Sequence, residues 1–115
     1  MQRKSSKQSR GANSEEKAFQ AWLKEQPCAV SGEYGVHVHH CAGSSYKHNK
    51  TLVGHWFCIP LTPEVHAEYH AGTKAFKQNH GAQAHLWYEM TTEYYHDTGI
   101  LPPAEVTKAI MDCGK

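Results

Sequence analysis

The segment Trp56-Phe57-Cys58-Ile59-Pro60-Leu61-Thr62-Pro63-Glu64 constrains the fold more than any other. A short apolar run with the composition of a buried strand is closed by Pro60, which has no N–H to continue a ladder. Thr62 and Pro63 then suit the N-cap and first position of a helix, where a missing N–H costs nothing. A strand and a helix are thus joined with almost no loop between them. The helix is expected to run to about Tyr69 or His70 and to end near Gly72. Upstream, Val36-His37-Val38-His39-His40 alternates as a strand does, until Cys41-Ala42-Gly43-Ser44-Ser45 breaks it.

The rest of the chain reads as helices and loops. Residues 1–13 are polar and basic and read as a disordered arm. Ser14 is expected to cap a helix bearing Ala18, Phe19, Trp22 and Leu23, which stops before Pro27. Tyr46 to Thr51 reads as a polar loop. Further helices are expected over Thr73–Asn79, over Ala82–His96 with Leu86, Trp87, Met90 and Tyr94 on one face, and from Pro102-Pro103 to about Met111. Trp87, Tyr88, Tyr94 and Tyr95 are assigned to the core, since a chain of 115 residues needs them to bury enough surface. The expected fold class is α+β, with one domain over 14–115 and its core motif over 27–81.

Charge and composition exclude some classes. The formal charge of +1 hides a basic arm, with Arg3, Lys4, Lys7 and Arg10 and no acid, on a body with eight Lys or Arg against eleven Asp or Glu. Such an arm is either a solubilising end or a nucleic-acid contact. No apolar run approaches the roughly 20 residues of a membrane helix, so no membrane partner is expected. The basic start lacks the apolar stretch of a secretory signal. A cytoplasmic protein follows, with four reduced cysteines unless they hold a metal.

Ten histidines carry the chemistry, nine of them between His37 and His85. His66 and His70 stand at i and i+4, on one helix face, and suit chelation of one ion. A strand beside that helix can add a third imidazole and leave positions open for a phosphate oxygen and water. A neighbouring neutral histidine can then deprotonate the water.

In this order the residues resemble the HNH, or ββα-metal, nucleases. The resemblance runs from Pro27 to Gly81 and rests on Cys28…Ser31-Gly32, Val38-His39-His40, His55-Trp56-Phe57-Cys58-Ile59-Pro60-Leu61 and His66-Ala67-Glu68-Tyr69-His70. Ala71-Gly72-Thr73-Lys74-Ala75-Phe76 with His80-Gly81 is similar to small phage Ref-type nucleases, which depend on RecA, and to related prophage proteins. The resemblance implies a ββα-metal core with flanking helices. It implies His39, His66 and His70 as ligands of one divalent ion (Zn, Mg, Mn or Ni), with His40 as general base. His55 would stand where the family orients the loop and base, although a buried histidine holding a loop carbonyl fits equally well. The implied reaction is hydrolysis of DNA phosphodiesters with low sequence specificity, and a RecA filament is the implied partner. Lys47 and Lys50, with the arm cations, are DNA-contact candidates, and Lys74 and Lys77 are weaker ones.

The pattern departs from the family in one respect. Where many relatives carry paired cysteines on a structural zinc, this chain has Cys28 and Ser31, then Thr62 and Val65. Cys28, Cys41, Cys58 and His37 leave another zinc site open. The competing function is a non-catalytic, zinc-stabilised module that binds nucleic acid or protein. Adjacent strand residues also face opposite ways, so His39 and His40 serve one site only if the strand end twists or the phosphate lies between them.

Overall fold

The computed structural model describes residues 11–115. Arg3, Lys4, Lys7 and Arg10 lie outside the described residues. The fold is α+β: among the described residues, five helices pack around two small antiparallel sheets.

Helix α1 (Ser14–Leu23) is capped by Asn13 rather than by Ser14. The Asn13 side chain accepts from the Glu16 N–H at 2.9 Å, and Glu16 accepts from the Asn13 N–H at 2.8 Å. Only Asn13 has a glutamate three residues on, which completes this reciprocal box; from Ser14 the same position is Lys17.

Strand β1 (His37–His40) reaches its partner only after an excursion. That excursion is a second hairpin, β2 (Lys47–His48) and β3 (Thr51–Leu52), in the stretch expected to be a loop. Asn49 and Lys50 both have positive φ, 49° and 70°, as a two-residue hairpin turn of matching twist requires. No Asn-Gly or Asp-Gly pair announces it.

Strand β4 (Cys58–Leu61) pairs with β1 in the register His37↔Leu61, Val38↔Pro60, His39↔Ile59 and His40↔Cys58. It lies two residues later than expected and includes Pro60. The Pro60 carbonyl points outward, accepting from the Ala29 N–H at 2.8 Å. Its missing N–H therefore faces away from β1 and removes no ladder bond.

Helix α2 (Pro63–Ala71) follows at once, with Thr62 accepting from the Val65 N–H at 3.4 Å. Helices α3 (Thr73–His80), α4 (Gln83–Thr98) and α5 (Ala104–Asp112) lie within about two residues of their expected bounds. Phe19, Leu23, Phe57, Ile59, Leu61, Trp87 and Ile110 form the buried centre. Trp87 also donates to the Trp56 carbonyl at 2.7 Å, tying α4 to the turn before β4. Tyr88 and Tyr95 are half exposed, contrary to expectation, because one helix buries one stripe, here Trp87, Thr91 and Tyr94. No helix among the described residues is long and apolar enough to cross a membrane.

Candidate metal and acid–base site

Strand alternation divides the two adjacent histidines. His39 is buried and faces α2, its ring 4.8 Å from His66 and 4.6 Å from Tyr69, centre to centre. His40 faces the opposite side, 5.6 Å from the ring of His55.

On the α2 side three ring nitrogens converge. His39 Nδ1 lies 3.1 Å from His66 Nε2, which lies 3.1 Å from His70 Nε2. His39 Nε2 is 2.9 Å from Gln83 Oε1, and the Gln83 amide nitrogen donates to the Cys41 carbonyl at 3.4 Å. That second bond orients the amide, so the ring donates through Nε2–H and leaves Nδ1 as a bare lone pair. Burial pushes His39 down to about 4; the Gln83 bond opposes the shift, and repulsion from the neighbouring imidazoles adds to it, so the ring is neutral near pH 7. His66 is likewise lowered, by burial and then by His70 and His37.

Proton counting makes this trio unusual. A proton on His66 Nε2 can serve one neighbouring lone pair well. A bare His66 Nε2 can accept from His70 but then meets the bare His39 Nδ1. With neutral rings, one 3.1 Å contact is unsatisfied in either arrangement.

A cation that accepts all three lone pairs removes the conflict. Two imidazoles on one ion, each at about 2.0–2.1 Å, have nitrogens roughly 3.0–3.4 Å apart, which matches both contacts. Among the described residues no group of three or more His, Cys, Asp or Glu is arranged to hold a metal ion as it stands. Both short contacts pass through His66, and the His39 and His70 rings are 6.4 Å apart. His70 is exposed. The three nitrogens are of the ligand type that a divalent ion takes, with two neighbouring pairs at ligand spacing and the His39 and His70 rings apart.

The His40 side is more open. His40 Nε2 is buried without a hydrogen-bond partner. Its pKa is lowered, first by burial and then by His55. The ring borders an open groove between α1 and β1, together with Lys17, Gln20 and Lys24. Gln20 donates to the His55 carbonyl at 3.0 Å, and Cys58 donates to it at 3.4 Å. Gly54 is required here because a Cβ would collide with the Ser44 carbonyl.

Other expected residues lie elsewhere. Lys47 and Lys50 ride on the β2–β3 hairpin, whose β3 strand packs on α5. His37 is exposed, 6.3 Å from the His66 ring. His80 pairs with Glu68 at 2.7 Å. Cys58 is pushed up to about 12 by burial, and Cys41 is also raised by burial. Cys28 accepts from the Ser31 N–H at 3.4 Å, and its Sγ lies 4.0 Å from the Thr62 hydroxyl. Burial raises this thiol, but its hydrogen bonds outweigh that and leave it lowered. The four positions compared with a cysteine knuckle thus meet in space, joined by hydrogen bonds. Gln83 was not expected: it lies beyond the 27–81 motif, and a lone glutamine has no metal-ligand spacing to betray it.

These observations define a small α+β protein with a histidine-lined site on one strand and one helix. The chain belongs to the family described as protein of unknown function DUF968, whose model matches residues 4–98. It is also similar to the Uncharacterized protein YdfU of Escherichia coli (strain K12), with 34% identity over 68 residues, or 59% of this chain. The chain covers about one fifth of that relative, 20% of its length. No solved structure matches.

Proposed function

We propose that this chain is a metal-dependent DNA endonuclease of the ββα-metal (HNH) type, working in the cytoplasm with low sequence specificity. The observation that carries the reading is the His39–His66–His70 trio, three lone pairs with too few protons. The meeting of Cys28 and Ser31 with Thr62 and Val65 supports the resemblance independently.

In this reading His39, His66 and His70 hold one divalent ion. When bound, it supplies Lewis-acid stabilisation of the charge that develops on the departing oxygen. Gln83 keeps His39 turned with Nδ1 toward the trio. His40, kept neutral by burial and by His55 on the other face of β1, takes a proton from the attacking water in a complex where the phosphate lies across the strand end, between the two faces. The water oxygen bonds to phosphorus, the P–O3′ bond breaks, and the 3′ oxygen collects a proton from solvent. The products are 5′-phosphate and 3′-hydroxyl ends. A RecA filament is the partner that the resemblance supplies.

The test is nicking of supercoiled plasmid in Mg²⁺, Mn²⁺, Ni²⁺ or Zn²⁺, with and without a RecA filament. Wild-type protein should nick, and both EDTA and His40→Ala should abolish it. No nicking under any of these conditions, together with an ion whose removal unfolds the chain, would replace the enzyme with a zinc-stabilised binding module.

A further inference from the structure

A cleft of about 340 Å³ lies between α3 and the start of α4, and nothing above uses it. Lys74, Lys77 and Lys115 line it, and no Asp or Glu side chain does; the Lys115 main chain also reaches it, its oxygen accepting from the Gln83 N–H at 3.0 Å. The remainder of the chain beyond the arm carries eight Lys or Arg against eleven acids, so three of its eight cationic side chains gather in one recess that has no Asp or Glu side chain. Two of these ammonium groups are held in place. Lys77 donates to the Gly114 carbonyl at 3.0 Å, and Lys115 sits over the Tyr46 ring, 5.3 Å from its centre. Tyr69 and Gln83 also line the cleft, and both touch His39. The cleft and the histidine trio therefore share a wall.

We infer that this cleft is a phosphate subsite, which holds a backbone phosphate of the nucleic-acid strand that reaches the trio. Clustered ammonium groups without Asp or Glu side chains favour an anion. The shared wall favours an anion belonging to the same ligand. The identity of that ligand rests on the nuclease reading; the presence of the subsite does not.

The test is binding of a short fluorescent DNA duplex in EDTA across a salt series. For Lys74→Gln/Lys77→Gln, the slope of log K against log salt should become shallower by about 0.9 per lysine removed. The Lys74→Arg/Lys77→Arg protein, which keeps both charges, should retain the slope and serves as the folding control. Lys108→Gln, on α5 and paired with Asp112, should leave it unchanged. Equal slopes for wild type and the Gln pair, or no DNA binding by wild type, overturn the subsite when inorganic phosphate gives no stabilisation either. Thermal stabilisation by inorganic phosphate that the Gln pair loses, with DNA slopes equal, would assign the cleft to free phosphate and overturn the nucleic-acid assignment. A shallower slope without any nicking leaves the subsite and removes the nuclease reading. Nicking with equal slopes does the reverse.

Discussion

The two faces of β1 make opposite uses of the same residue type. On the α2 face, His39 is locked by Gln83 and crowded by His66 and His70, so its free nitrogen is a fixed donor with too few protons around it. On the α1 face, His40 has a buried nitrogen with no partner and an open groove beside its ring. A fixed, second-bonded imidazole suits ion binding, and an unpartnered neutral one suits proton transfer. A strand period of two separates these tasks at the cost of one residue. A His-His pair in a strand therefore reads as two half-sites back to back.

The comparison breaks first at His40. His40→Ala should lower nicking about 10²–10⁴-fold, the usual worth of a positioned base, while ion binding stays unchanged. An equal loss of ion binding would merge the two faces into one site. Gln83→Leu should act on the other face alone. It should weaken divalent-ion affinity about 10–100-fold, as loss of a ligand's orienting partner does, and Gln83→Glu, which keeps the acceptor, should restore it. Calorimetric titration with Zn²⁺ reads both. If Gln83→Leu binds like wild type, the glutamine only packs.

Acid should sharpen the contrast. The unfolded chain protonates His39 near its ordinary 6.5, whereas the folded chain resists until about 4. Between those values the unfolded state binds more protons, so stability falls as pH falls through that window and is fully present above it. After allowance for partial hydration, the loss is on the order of 2 kcal/mol. Chemical unfolding near neutral pH and near the lower limit should show it, with a flatter profile in His39→Leu. Away from both faces the effects shrink. Lys50→Gly, at φ 70°, should stabilise the β2–β3 turn by about 0.5–1 kcal/mol in thermal melts and leave ion binding alone.

The strand–helix junction was legible because Thr62, Pro63 and Gly72 each have a local physical reason to stand where they do. His66 and His70 were legible from helix spacing, and His39 and His40 from their place at a strand end. Other features depend on the tertiary fold. Pro60 enters β4 because its N side faces away from β1, and no local signal shows which side a strand will pair on. The β2–β3 hairpin turns on Asn49-Lys50, a pair with weak turn chemistry. Gln83 acts across 44 residues of chain, and its chemistry is visible only once His39 is beside it.

The most direct test of the account is titration of the metal-free protein with Mn²⁺ or Zn²⁺, comparing wild type, His66→Ala and His40→Ala. The account predicts one ion per chain in wild type, binding lost in His66→Ala and binding intact in His40→Ala. No ion in wild type, or equal binding by His66→Ala, would contradict it.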